Sequence, residues 1–459
     1  MRHLILSASA FALVAPAASA QHAPPSEVLA VHDHVAAVSA ERIEADIQTL
    51  VDFGTRHTLS ETESDTQGIG AARRWIFEEF QRISEGCAVP LEVIYVSDVI
   101  EGERRIPEPT DVVSVLAIQR GTVDPERYVM MSGDIDSRVT DPLDGTSESP
   151  GANDNASGMA GAIEAARVLC QSEFAGSIIY AGLSGEEQGL FGGQIVAAHA
   201  LENDWRIKAV LNNDMISNIE GIDGVINNTT ARVFSEGTRA VETPDEARLR
   251  RFTGGEVDSP SRNIARMVDR TADQYIPNLD VMMVYRLDRY RRGGHHRPFN
   301  EAGIPGVRIM ETHEHYDRQH QDLRVEDGRE YGDVMEGVNA EHAAKLTALN
   351  IAVLAQMAGA PPFPADVEIS GAVQPSTTLT WSRPPEDQAG NLMGYRVHWR
   401  LTDAPQWTHS RYVGDVTEFT LENIVIDNYY FGVSSVAADG SESPVVFPGP
   451  AGSFGGYGD

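Results

Sequence analysis

Apolar and polar positions follow two different rhythms along this chain. In "SAERIEADIQTLVDFGTRHT" (39–58) apolar residues recur at helical spacing behind Ser39, a residue suited to an N-cap, and "GIGAARRWIFEEFQRIS" repeats the spacing. Short apolar runs then alternate with helical ones: "VVSVLAI", "RYVMMS", the helical "GMAGAIEAARVLC", "SIIYAGL", "KAVLNN", "LDVMMVY" and "PGVRIM". Strands alternating with helices predict an α/β domain over 39–360, with a mostly parallel mixed central sheet flanked by helices. The long amphipathic run "NAEHAAKLTALNIAVLAQMAG" closes it.

After the proline-stiffened "APPFPAD" the rhythm shortens to "TTLTWS", "GYRVHWR", "TEFTL" and "NYYFGVSSVAADG", which predicts an all-β sandwich over 361–449. This stretch resembles a fibronectin type III module, with Trp381 in an early strand and Tyr429-x-Phe431-x-Val433 at a tyrosine-corner position. The resemblance implies a spacer or adhesive module that contacts a cell surface or polymer. The tail "PAGSFGGYGD" (450–459) reads as flexible. At the other end, "MRHLILSASAFALVAPAASA" has a basic start, an apolar middle and a small-residue end. That is the pattern of a signal peptide over 1–20, followed by a linker over 21–38, and it implies export to a periplasmic or extracellular location.

Composition narrows the function. With 36 Lys and Arg against 68 Asp and Glu, the formal charge is −32, which argues against a nucleic-acid partner. Beyond the signal segment no stretch is long and apolar enough to span a membrane. An exported protein could join Cys87 to Cys170, but a buried free thiol at Cys170 fits its apolar helical context equally well. No GxSxG, HExxH or phosphate-loop motif occurs.

Ligands of open α/β sheets gather at the carboxyl ends of the strands, and there this chain concentrates acids. "GDIDSR" carries Asp134 and Asp136; "PGANDNASG" holds Asp154 in a turn before a helix; "LSGEEQGL" carries Glu186 and Glu187; "NNDM" carries Asp214; and "ETHEHYDRQHQD" is rich in histidine. Any one of these acids could be a helix cap or a solvated loop residue. Together they make a dense negative cluster that calls for cations.

The series "PGANDNASG…AARVL…SGEEQGL…NND…GIPGV…H" resembles the zinc exopeptidases of clan MH, which include bacterial leucyl aminopeptidases, glutamate carboxypeptidases and glutaminyl cyclases. The resemblance covers about 39–358 and implies a zinc aminopeptidase-like fold with two divalent metal ions, zinc foremost, acting on peptide or protein substrates. It implies that Asp154 bridges two ions, that Glu187 and Asp214 bind one each, and that Glu186 is the general base. His320 is the last ligand it favours, ahead of His313 and His315. It makes Asp136 an acid that orients the side chain two positions earlier, and it places His295 and His296 near the site as supporting or substrate-contacting groups. One position departs from the family: the first ligand is usually histidine, and here it is Asp134, while His295 stands where aspartate is usual. An all-oxygen second site of Asp134, Asp154 and Asp214 would suit manganese or another harder ion.

The expected activity is therefore a secreted metal-dependent exopeptidase, foremost an aminopeptidase. Carboxypeptidase action would use Arg289, Arg291, Arg292 or Arg297 to hold a terminal carboxylate, and glutaminyl cyclisation is a third activity within the same resemblance. The departure at Asp134 also admits a different class, a binding or adhesion protein with a lapsed metal site.

Overall fold

The apolar runs of the first rhythm assemble into one eight-stranded sheet in the computed structural model, which describes residues 22–455. The expected signal segment lies outside the described residues. Eight strands make the sheet: β1 Leu91–Ile100, β2 Thr110–Gln119, β3 Asp124–Asp134, β4 Gly176–Leu183, β5 Arg206–Asn213, β6 Thr230–Phe234, β7 Asp280–Val284 and β8 Gly306–Glu311. Their order is β1-β2-β4-β3-β5-β8-β6-β7. The central pairs β4–β3, β3–β5 and β5–β8 are parallel, as is β6–β7; the other pairs are antiparallel.

Around the sheet lie α1 Leu29–Ala36, α2 Ala40–Val51, α3 Gly68–Glu85, α4 Gly158–Leu169, α5 Glu186–Gly189, α6 Phe191–Glu202, α7 Pro244–Thr253, α8 Pro260–Tyr275, α9 His296–Glu301 and α10 Ala340–Gly359. Alternation along the strands sorts side chains between two layers. Val129 and Met131 of β3 join the core under α2, α3, α4, α8 and α10, whereas Tyr128 and Met130 face α6 and α9. Burial on both faces is why these strands read as unbroken apolar runs rather than alternating ones. Helix α10 buries Leu346, Leu349, Ile351, Val353, Leu354 and Met357 completely, each worth roughly 1.5–3 kcal/mol of apolar burial. Ser39 caps α2 as expected, its hydroxyl accepting the Arg42 N–H at 3.3 Å.

Beyond a small hairpin of β9 Arg324–Glu326 and β10 Arg329–Tyr331, the second rhythm forms two three-stranded antiparallel sheets. One is β11 Ala365–Ser370, β12 Thr377–Ser382 and β15 Glu418–Leu421; the other is β14 His409–Gly414, β13 Leu392–Leu401 and β16 Tyr429–Ala437. Two expectations change. The stretch 21–38 is not all linker, because α1 forms within it and buries Val31 and His34. The described part of the tail is ordered against the protein: Phe454 is 7% exposed and packs edge-on to Phe363, with ring centroids 5.2 Å apart. Cys87 and Cys170 form a disulfide that ties the end of α3 to the end of α4.

Candidate metal centre

Register brings the chemistry to one edge of the sheet. Asp134 pairs with Leu183, Ser132 with Asn212 and Asn213 with Ile309, so β3, β4, β5 and β8 end almost level. The segments leaving these ends carry Asp134, Asp136, Glu186, Glu187 and Asp214.

Asp154 arrives on the tight turn Ala152–Ser157, where it and Asn155 leave helical backbone angles and share a cis peptide. Asp333 accepts the backbone N–H of Asn153 at 2.9 Å and of Asp154 at 2.7 Å. The fully buried Arg56 donates to the carbonyls of Ile135 and Gly151, each at 2.9 Å. Glycine is required behind the turn: a Cβ on Gly158 would stand 2.2 Å from the Asn213 carbonyl oxygen, and one on Gly133 would stand 2.4 Å from the Gly158 carbonyl carbon. Arg56 and Asp333 escape a sequence reading because each sits among loop residues with no periodic pattern around it.

Three side chains converge. His320 Nε2 lies 2.9 Å from Asp154 Oδ2 and 2.9 Å from Glu187 Oε1, and one ligand atom from each residue falls within 4.8 Å of the others. One imidazole nitrogen and two carboxylate oxygens are a donor set that a zinc ion accepts while keeping a position open, so these residues fit one divalent ion. His313 and His315 are not in this group. Arg138 closes it from behind, with Nε 2.8 Å from Glu187 Oε2 and Nη2 2.8 Å from His320 Nδ1. The paired glutamates diverge. Glu187 is buried in the group, whereas Glu186 is half-buried and lines the same 340 Å³ cavity beside Asp154, Asp214 and His320. Burial, and then the carboxylates of Glu187, Asp214 and Asp134, hold the Glu186 carboxyl well above the usual range. Burial works against charge on His320, but Glu187 and Asp154 outweigh it and hold the imidazole up at about 9.

The remaining acids are arranged differently from the expectation. Asp136 does not act on Asp134; its two oxygens accept the backbone N–H groups of Glu186 and Glu187, each at 3.1 Å, and so position the start of α5. Asp134 is engaged at both oxygens, by His295 Nδ1 at 2.7 Å and Asn155 Nδ2 at 2.7 Å, and it does not line the cavity. Thus Asp134 and His295, for which the resemblance implied histidine and aspartate, touch each other. Burial pushes the His295 pKa down to about 4 and Asp134 up. His296 turns away, donating Nε2–H to the Leu287 carbonyl at 2.8 Å. Asp214 reaches the cavity, but its Oδ2 is held at 2.7 Å by Arg308 Nη2. Among the described residues Asp134, Asp154 and Asp214 do not form a second group of converging donors, so they do not fit a second ion as found. Much of the positive charge that the acidic cluster demands comes from the chain itself, from Arg308, Arg138 and Arg289.

The sequence matches the model of peptidase family M28 over residues 114–340. It is 41% identical over 429 residues to a "probable zinc metalloprotease" of Leptosphaeria maculans, covering 93% of this chain and 98% of that one. A second protein so described, from Pyricularia oryzae, is 39% identical over 417 residues, 90% of this chain and 83% of its own. Among solved structures, the LapA aminopeptidase of Legionella pneumophila superposes with a TM-score of 0.52 at 19% identity over 76% of this chain and 77% of that chain, a likeness of fold.

Proposed function

This chain belongs to peptidase family M28 and is a metallopeptidase, and from that premise we propose that it is an exported exopeptidase that removes residues from the amino end of peptides. The observation that carries the reading is the convergence of Asp154, Glu187 and His320 beside Glu186 in one cavity. Asp154, Glu187 and His320 would hold a zinc ion, which would supply Lewis acidity to the scissile carbonyl and make a water nucleophilic at neutral pH. Glu186 takes the proton of the attacking water as its oxygen adds to the carbonyl carbon, and returns it to the amine when the carbon–nitrogen bond breaks. Asp136 positions the Glu186 and Glu187 backbone. Asp214 Oδ1, buried and without a hydrogen-bond partner, is the carboxylate oxygen available to a substrate ammonium. The disulfide supports export, since such bonds persist in oxidising compartments. We assign the C-terminal sheets to a fibronectin type III-like module that contacts a surface or polymer.

A second reading, carboxypeptidase action, is favoured by the arginines of the cavity wall: Arg105, Arg138, Arg291, Arg292 and Arg297 all line it. A panel of free-amine, N-acetylated and C-amidated peptides, run on wild type and Glu186→Gln, separates the readings. The expected result is cleavage of free-amine substrates only, with kcat reduced by about 10²–10⁴ in Glu186→Gln at unchanged metal content. Cleavage confined to peptides with a free carboxylate would establish the second reading, and cyclisation of an N-terminal glutaminyl peptide would replace both. Full activity in a metal-loaded Glu186→Gln would refute the role of that residue.

A further inference from the structure

We infer that this chain holds a single metal ion, at Asp154, Glu187 and His320, and that Arg308 on Asp214 and the hydrogen bond between His295 and Asp134 take the place of a second one. The inference rests on the metallopeptidase reading and narrows it.

Three observations lead there. First, the converging donor atoms among the described residues form one group and not two. Second, Arg308 cannot leave Asp214 easily. It is completely buried, and its Nη1 is anchored by the Gly293 carbonyl at 2.8 Å and by Asp288 Oδ2 at 3.2 Å. A divalent ion on Asp214 would therefore sit beside a trapped guanidinium, and like charges at that range repel strongly in a buried site. Third, Asp134 lies behind the cavity rather than in it, 2% exposed, with both oxygens engaged. A ligand there would have to give up His295, itself fully buried. Glu187 and Asp214 thus each have a protein cation, in Arg138 and Arg308, and Asp134 has a buried imidazole partner in His295. Asp154, which a dinuclear centre would share between ions, instead presents Oδ2 to His320 and to the Gln319 amide at 3.3 Å. At 134 and 295 a carboxylate and an imidazole in contact satisfy each other without metal.

The test counts zinc. The purified full chain is incubated with excess zinc sulfate, desalted over a chelator-treated column and measured by elemental mass spectrometry. Circular dichroism checks the fold of each variant. We expect one zinc per chain in wild type, none in His320→Ala, and still one in Asp134→Asn and Asp214→Asn. Two zinc ions in wild type, falling to one in Asp134→Asn or Asp214→Asn, would overturn the inference and leave the metallopeptidase reading intact. A wild type that binds no zinc would overturn both together.

Discussion

Arg308 is a single polar position inside the apolar run "PGVRIM", and it pairs with two acids at the edge of the site. It bridges Asp214 and Asp288 with no exposure of its own. The two carboxylates attract the charged form so strongly that its pKa rises in spite of burial. Arg308→Met would leave two buried carboxylates with Arg289 alone as their nearby guanidinium, and breaking a buried pair in this way costs about 3–5 kcal/mol. Urea unfolding of the variant should show that loss; a loss below about 1 kcal/mol would mean the pairing is not what holds the edge together. At this scale the sequence was only partly legible. Asp154, Glu186, Glu187 and Asp214 announce themselves by standing at strand ends in a recognisable series. Arg56, Asp333 and Arg308 do not, because their partners are distant in the chain and a lone charge has the same local signature whether solvated or buried. Arg308 did offer a signal: a charged residue in a strand covered on both faces must be buried, and so must be paired.

Among the elements, the helices with strong periodicity were readable almost to the residue. Helices α2, α3, α4 and α10 occupy the stretches whose apolar spacing predicts them. Helix α8, which buries twelve of its sixteen residues, escaped notice, as did elements that bury less. Strand β1 is an edge with most of its length half-buried or exposed, β6 has five residues, and α1 buries only two. Helix α10 also carries a titratable liability. His342, in its first turn, is 1% exposed, and its backbone N–H is capped by Asn339 at 2.8 Å. Burial, reinforced by nearby Lys345, pushes its pKa down to about 4. The unfolded chain, with a histidine pKa near 6.5, therefore takes up a proton that the folded chain refuses. The stabilisation is full above about pH 6.5 and is lost as pH falls towards 4, by about 2 kcal/mol between pH 7 and pH 5. His342→Leu should flatten this acid limb. Equal pH dependence of unfolding in variant and wild type would show that His342 does not carry it.

At the scale of the molecule, buried arginines recur beside buried acids. Arg56, Arg127, Arg262, Arg266, Arg308 and Arg400 are all under 2% exposed in a chain with a formal charge of −32. Guanidinium groups suit this use because they stay charged and spread several donors over carboxylates and carbonyls at once. The same device docks the C-terminal sheets. Asp258, fully buried, receives Arg400 of β13 at 2.7 and 2.9 Å and Arg266 of α8 at 2.8 Å. Arg127 of β3 reaches the carbonyls of Met357 and Ala360 at the end of α10, and Asn391 donates to Gly359 at 2.7 Å. A proline-stiffened connection between independent rhythms suggested two separable units; the buried Asp258 cluster makes them one packed body. No described residue beyond 360 lines the 340 Å³ cavity, so docking and catalysis are separable by mutation. Asp258→Asn keeps the shape but removes the charge that two buried guanidinium groups share, at about 3–5 kcal/mol. The expected result is a lower Tm and faster protease cutting near residues 360–364, with kcat/KM on short peptides within about two-fold of wild type at temperatures below the transition. A cutting rate equal to wild type would mean that apolar packing alone holds the sheets in place. A large fall in kcat/KM with no change in Tm would mean that the C-terminal sheets shape the cavity from a distance, and the separation of the two roles would fail.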